Sequence, residues 1–312
     1  STEKVKNILI TGGLGHIGSK LIRVLLKKKY FVTCIDNLST QRIVSLKGVL
    51  ANKNFSFIEN DVANDKKTLE KIVNLRENFA LIHLAAITNA EASLENPSNI
   101  FNNNLAATRN VSEISSKYNI KLIFPSSTSV YGSAEKEVYE DQPSFLNPQS
   151  PYAECKIQEE NLLLEKDSLD VNILRFGTIF GTSPGMRFHT AVNKFCWQAA
   201  LRKPITVWET AMNQYRPYLD LEDACESFLF LIDNQFSSKN VFNVLTSNYT
   251  VKEILKVIER YVKKLDVEYV ETKIMNQLSY KVLNNKIINL GFKFKGDIDK
   301  GIKDTLDWLR NE

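Results

Sequence analysis

An apolar, β-rich run, VKNILIT (residues 5–11), breaks directly into TGGLGHIGS (11–19), and a helical pattern follows at once. Gly12, Gly15 and Gly18 fall at G-x-x-G-x-x-G spacing, and Ile17, Leu21, Val24 and Leu25 recur at the period of a helix face. Each glycine answers a separate demand: a tight turn, close approach of backbone to a pyrophosphate, and contact between helix and sheet. The helix start then presents free N–H groups and the positive end of its dipole to an anion. Strand, glycine loop and helix in that order give the motif the context that a bare glycine pattern lacks.

The rest of the first half keeps the same rhythm. Strands are expected at 30–36, 55–61, 79–86, 120–127 and 170–176, with helices between them, including one that opens after Pro97 and one over Tyr152–Glu165. Apolar strands alternating with helices imply a parallel sheet covered on both faces, an α/β doubly wound sheet of Rossmann type that binds its ligand at the carboxyl ends of the strands. After residue 176 the rhythm breaks. Residues 1–176 are assigned to the dinucleotide-binding domain, with 215–245 returning to it. Residues 177–214 and 246–312 are assigned to a smaller, interleaved C-terminal α/β substrate lobe.

Composition narrows the class. The 312 residues carry a net charge of +4, and the lysines are interspersed with acids, which reads as solvated helix faces rather than a nucleic-acid patch. Cys34, Cys155, Cys196 and Cys225 are far apart and form no C-x-x-C, and three histidines make no zinc-like set, so reduced thiols and no metal are expected. No apolar run is long enough for a signal peptide or a membrane span. The expectation is a soluble, cytoplasmic protein.

Two constellations carry chemistry. The second strand ends in Asp36, an acid placed to accept hydrogen bonds from an adenosine ribose and to repel a 2′-phosphate, which favours NAD over NADP. Asp61, at the end of the third strand, reads either as a partner of the adenine edge or as a helix cap. Further on, SSTSVYG (126–132) closes the fifth strand, and PYAECK (151–156) opens the next helix. Tyr152 and Lys156 stand four residues apart on one helix face. A neighbouring ammonium favours the phenolate, so Tyr152 can take the proton of a sugar hydroxyl while Ser127 holds that hydroxyl. Lys156 can also bond a nicotinamide ribose.

These residues resemble the extended short-chain dehydrogenase/reductase family, in its nucleotide-sugar epimerase/dehydratase branch. The likeness spans nearly the whole chain: TGGLGHIGS, DNLS (36–39), HLAA (83–86), NNLAATRN with Asn104, SSTSVYG, SPYAECK, RFGTIFG (175–181), QYRPYLDLEDA (214–224), and a tail of LGFKF and GIKDTLDWL. The resemblance implies NAD as cofactor and Ser127, Tyr152 and Lys156 as catalytic residues. It implies cofactor contacts from Gly12, Gly15, His16, Ile17, Gly18, Asp36, Asn37, Asp61, Val62, Leu84, Ala85, Ala86 and Asn104, besides Tyr152 and Lys156. It implies a nucleoside diphosphate sugar as substrate, met by Thr88, Ser127, Thr178, Arg187, Asn193 and Arg216, the last through bidentate contact with phosphate. It also implies a homodimer packed through the helices at about 97–118 and 151–165.

Members of the branch share a first step, oxidation of the sugar, usually at C4. The 4,6-dehydratases carry an Asp–Glu pair after the catalytic serine; Thr128 and Ser129 stand there instead, which disfavours dehydration. A 4-epimerase leads, with a 4-dehydrogenase releasing keto-sugar and NADH as the alternative, because both use the same base, serine and cofactor. A non-catalytic dinucleotide sensor is disfavoured by the Tyr–Lys pair. The SPGMRF stretch (183–188) resembles a subgroup acting on bacterial surface sugars. Thr178 and Pro217 depart from the usual Asn and Asp of the family, His16 replaces a more usual aromatic, and His83 on its apolar strand reads as a core histidine. Trp197, Trp208 and Trp308 are expected to pack in the second lobe or tail.

Overall fold

The computed structural model describes residues 4–38, 43–75, 79–85, 96–132, 137–271 and 280–311. Seven parallel strands form the main sheet: β1 (Asn7–Thr11), β2 (Phe31–Asp36), β3 (Phe55–Glu59), β4 (Phe79–His83), β5 (Lys121–Ser127), β7 (Val171–Phe176) and β11 (Asn240–Val244). Their spatial order is β3-β2-β1-β4-β5-β7-β11. The order reverses between β1 and β4, and such a switch point opens a crevice at the carboxyl ends of the strands. Thr11, Asp36, His83 and Ser127 all sit at that edge.

Helices cover both faces. On one side lie α1 (His16–Lys27) and α6 (Leu221–Asp233). On the other lie α2 (Lys66–Leu75), α3 (Pro97–Lys117) and α4 (Pro151–Glu165). Two clusters of buried side chains follow, one centred on Ile8, Ile10, Leu21, Leu25 and Phe228, the other on Leu9, Leu81, Val111, Leu122 and Leu163. Odd and even residues of β1 feed opposite clusters, as the period of a strand requires.

The second lobe is built from smaller pieces. Strands β8 (Thr178–Phe180), β10 (Tyr215–Asp220) and β12 (Ser247–Thr250) make a three-stranded sheet in the order β12-β10-β8. Beside it, β9 (Ile205–Trp208) pairs with β13 (Val267–Val270), and β6 (Glu137–Val138) pairs with β14 (Lys281–Val282). Helices α5 (Ala191–Ala200), α7 (Val251–Glu259), α8 (Asn285–Asn289) and α9 (Ile298–Arg310) complete the described residues. A third cluster, with Phe180, Val192, Phe195, Ile254, Ile258 and Ile302, ties the small sheet to α5, α7 and α9.

One expectation is revised here. The return of 215–245 to the main sheet is made by β11 and its covering helix α6, whereas β10 hydrogen-bonds within the small sheet. The tryptophans lie in the second lobe and tail, partly exposed: Trp197, Trp208 and Trp308 are 41%, 40% and 52% exposed. Trp197 and Trp308 flank the Phe188 ring at 6.2 and 6.3 Å. All four cysteines are free and buried. Among the described residues, no helix is long and apolar enough to cross a membrane, and no group of side chains has the makings of a metal site.

Candidate active site at the carboxyl edge of the main sheet

The glycine loop is shaped by contacts that leave no room for side chains. Gly12 has φ +72°, and a Cβ there would come within 2.6 Å of the Ala85 backbone. A Cβ on Gly18 would meet the Gly13 backbone at 2.5 Å. Gly15 is the N-cap of α1 with no side-chain cap, and the first turn of α1 holds no acidic residue. That helix end is therefore open to an anion on both geometric and electrostatic grounds. The loop is braced from the second lobe. His16 Nε2 donates to the Gly181 carbonyl at 2.8 Å, Ser183 Oγ donates to the His16 carbonyl at 2.8 Å, and Gly185 N donates to Ser19 Oγ at 3.0 Å. Burial drives the His16 imidazole down to about 4, so it is neutral in this role.

Asp36 is buried at the tip of β2. Its carboxylate accepts the Leu38 N–H at 2.7 Å and the Leu14 N–H of the glycine loop. Burial raises its pKa, and the two backbone donors oppose the shift. Asn37 next to it is exposed, and Ile17 packs partly into the core. Asp61 makes a local turn, accepting from Ala63 N at 3.1 Å and Asn64 Nδ2 at 2.6 Å. The cap of α2 is Asp65, which accepts from Thr68 N at 3.2 Å, so the helix-cap reading of Asp61 is set aside. Val62 is buried, and its carbonyl accepts from Asn110 at 2.8 Å. Leu84 N and Ala85 N bond Thr11 at 2.8 and 3.4 Å and hold the end of β4 against the glycine loop. Ala86 and Thr88 lie outside the described residues.

Beyond the switch point, β5 delivers Ser127, and α4 begins with Ser150 capping Ala153 N at 3.1 Å and Pro151 in the first turn. This start aims Tyr152 and Lys156 at the sheet edge, where both are buried. Tyr152 hydrogen-bonds Ser127. The Lys156 ammonium lies 5.7 Å from the centre of the Tyr152 ring, 4.7 Å from that of Phe124, and 3.5 Å from Glu159 Oε1. Sequence reasoning expects the ammonium to favour the phenolate. Burial acts first and pushes the Tyr152 phenol up, Lys156 pulls it back, and the net direction is up. For Lys156, burial pushes down, and Glu159, with Tyr152 and Cys155, more than reverses it. Asn104, on α3, is fully buried and hydrogen-bonds Cys155.

The structure brings Ser127, Tyr152 and Lys156 together. It also adjoins Thr178 to them, since Ser127 pairs with Phe176 and β8 begins two residues later. Thr178 pairs with Tyr218 across the small sheet, two residues from Arg216. The Arg216 guanidinium is half-buried against the Tyr280 ring at 5.1 Å and bonds the Tyr215 carbonyl at 2.8 Å and Gln214 at 3.1 Å. Arg187 and Asn193 form a separate pair, with Asn193 Nδ2 donating to the Arg187 carbonyl at 3.1 Å. Thr128 and Ser129 occupy a tight turn in which Ser129 N donates to Ser127 Oγ at 3.1 Å, and neither offers a carboxylate. His83 is satisfied inside the core by Thr11 at 2.6 Å and Thr108 at 3.1 Å. Sequence reasoning missed Glu159 and Glu160, which are buried beneath Lys156 and Arg175.

A model of the NAD dependent epimerase/dehydratase family matches residues 8–244. The chain belongs to that family. Members of the NAD dependent epimerase/dehydratase family are enzymes, and NAD is their cofactor. The glycine cradle, the uncapped start of α1 and the acid at the tip of β2 fit that group. A curated relative, the putative UDP-glucose 4-epimerase of Methanocaldococcus jannaschii, is 28% identical over 97% of this chain and 98% of its own length. Among solved structures, the UDP-glucose 4-epimerase of Thermotoga maritima with UDP-glucose has a TM-score of 0.85 at 25% identity, covering 97% of this chain and 98% of that one. The Thermus thermophilus UDP-glucose 4-epimerase in complex with NAD has a TM-score of 0.81 at 25% identity, with 97% and 99% covered.

Proposed function

We propose that the protein is an NAD-dependent nucleotide-sugar 4-epimerase. The observation that carries the reading is the buried Ser127–Tyr152–Lys156 group at the switch-point edge, with no carboxylate at positions 128 and 129 to remove water. Most of its relatives are named as UDP-sugar 4-epimerases, with some 4,6-dehydratases among them, which makes a UDP-sugar the first class to try.

In this reading Tyr152 is the base. Its Oη takes the proton of the C4 hydroxyl and later returns it. Ser127 holds the same oxygen in line, and Lys156 stabilises the charge that develops on Tyr152. When bound, NAD supplies the hydride acceptor and then the donor. Epimerisation requires only that the keto-sugar present its other face before the hydride returns. Gly12, Gly15, His16, Ile17, Gly18, Asp36, Asn37, Asp61, Val62, Leu84, Ala85, Ala86 and Asn104 form the cofactor side, together with Tyr152 and Lys156. Thr88, Thr178, Arg187, Asn193 and Arg216 form the sugar-nucleotide side. Apart from Thr88, these residues lie on the second lobe, residues 177–220 and 246–312.

The reading extends to a cytoplasmic homodimer that joins helices Pro97–Lys117 and Pro151–Glu165, on which Leu105 and Leu162 are half-buried. Supply of sugars for surface polysaccharide is the accompanying role. The test is incubation with NAD⁺ and a panel of UDP-, GDP-, CDP- and dTDP-sugars, with near-UV absorbance followed and products resolved. A stereoisomer without net NADH supports the epimerase. Accumulating NADH and keto-sugar point to the 4-dehydrogenase.

A further inference from the structure

Behind Lys156 runs a chain of hydrogen bonds with one consistent direction, buried from Thr11 to Glu159. The Ala85 N–H donates to Thr11 Oγ1 at 3.4 Å. Thr11 Oγ1 lies 2.6 Å from His83 Nδ1, and His83 Nε2 lies 3.1 Å from Thr108 Oγ1. Thr108 Oγ1 in turn donates to Glu159 Oε2. A carboxylate only accepts, so Thr108 spends its proton on Glu159 and must accept from His83 Nε2–H. His83 is then the neutral Nε2–H tautomer, and Thr11 donates to its Nδ1. Burial holds that imidazole down to about 3, in agreement with the neutral form. The chain ends at the one carboxylate among the described residues that meets Lys156, at 3.5 Å on its other oxygen.

Both members of this pair are buried, Lys156 to 3% exposure and Glu159 to 0%. An ammonium in such a place needs a counter-ion that cannot swing away. Burial alone would push Lys156 toward the neutral amine, and Glu159 is the largest influence in the other direction.

We propose that Glu159 is a positioning residue for Lys156, its carboxylate fixed from behind by Thr108, His83 and Thr11 so that the ammonium stays in place for Tyr152 and the cofactor ribose. The inference rests on reading Lys156 as a contact of the bound dinucleotide. The other titratable groups facing the pair are Tyr152 and Cys155 from α4 and His83 from β4; β5 contributes Phe124, and α3 contributes Thr108 and Asn104. Because the chain begins at Thr11 and Ala85, the walls of the glycine cradle, it also links the seat of the cofactor to the residue that serves the base.

The test is NAD affinity between pH 6 and pH 9, by calorimetry, for the wild type, Glu159→Gln, Glu159→Asp and Lys156→Met. Thermal unfolding of each variant establishes that it folds. Wild-type affinity is expected to be flat across the range. Glu159→Gln keeps an acceptor for Thr108 and removes the charge. It is expected to match the wild type within about threefold at pH 6, where Lys156 still holds its proton, and to weaken about tenfold or more by pH 9 toward the level of Lys156→Met. Should Glu159→Gln not fold, Glu159→Asp carries the test. It withdraws the charge by one methylene, and the same slope at smaller amplitude is expected. A variant that binds like the wild type at every pH, or is weaker by one constant factor, overturns the proposal, since a merely structural role gives no slope. If Lys156→Met itself binds NAD like the wild type, the reading of Lys156 as a cofactor contact fails and the proposal falls with it.

Discussion

Arg175 is clamped onto Glu160 by three contacts of 2.7 to 3.2 Å, with both side chains buried at the edge of the site. Glu160 Oε2 also accepts from Ser126 at 2.6 Å, and Arg175 Nη1 donates to Tyr131 at 3.0 Å. The pair thus pins α4 to the end of β5 on either side of Ser127. Removing one partner leaves the other as an uncompensated buried charge. Glu160→Gln is expected to lose about 3–5 kcal/mol of stability, measured by urea unfolding. The double replacement Glu160→Leu with Arg175→Met is expected to lose less than Glu160→Gln alone.

The cradle makes a second prediction. At Gly12 the backbone is left-handed, φ +72°, and a Cβ would press on Ala85 at 2.6 Å. Gly12→Ala must move the loop or the end of β4. Its NAD affinity is expected to fall at least tenfold, about 1.4 kcal/mol, in a calorimetric titration. Unchanged affinity would remove the loop from the cofactor site.

Asp36 makes a third. Its buried carboxylate already accepts two backbone donors and faces the rim of the glycine loop. The wild type is expected to bind NAD more tightly than NADP, and Asp36→Asn to narrow that preference by about tenfold or more, about 1.4 kcal/mol. Competition binding of the two dinucleotides measures both. An NADP preference in the wild type would defeat the reading.

Stability against pH follows from the buried histidines. His83 and His16 are pushed by burial to about 3 and about 4, from an ordinary 6.5. Both are neutral in the folded protein, whereas the unfolded chain takes up protons as pH falls through about 6.5. Their contribution is complete above that value and is lost on the way down to the folded values. Each costs about 1.4 kcal/mol per pH unit in that window. Urea unfolding at pH 7.5 and 5.5 should show the loss, and His83→Gln should show less of it. Equal losses in the two proteins would mean that His83 is charged when folded.

The catalytic group is tested by Tyr152→Phe. Removal of one hydroxyl from a buried ring is expected to slow turnover by about 10²- to 10⁴-fold while NAD affinity stays within a few-fold. A variant of undiminished turnover would place the base elsewhere.

Much of this was legible in the sequence because it is local. The glycine loop, Asp36 and the Tyr152–Lys156 pair are each set by a short stretch whose spacing fixes its geometry, and the alternation of strand and helix is enough to give a parallel sheet. What stayed hidden depends on distant partners. Glu159 and Glu160 carry no local signal in a helix of mixed charge, yet both face inward because Lys156 and Arg175 are there to receive them. Thr11, His83, Thr108 and Glu159 span 148 residues of sequence separation and meet only through the sheet order. The small sheet was missed for a similar reason: β8 and β12 are three and four residues long, too short for a period to show. The exposed tryptophans follow no pattern, since Trp197 and Trp308 come together only around Phe188.

The central claim is that hydride leaves C4 and returns to C4 within one binding event. The most direct measurement uses the nucleotide-sugar that turns over, labelled with deuterium at C4, with products examined by NMR and mass spectrometry. The account expects the epimer to form with deuterium retained at C4 and no growth in near-UV absorbance. Deuterium appearing in released NADH beside a keto-sugar, or an epimer whose C4 carries hydrogen from water, would contradict it.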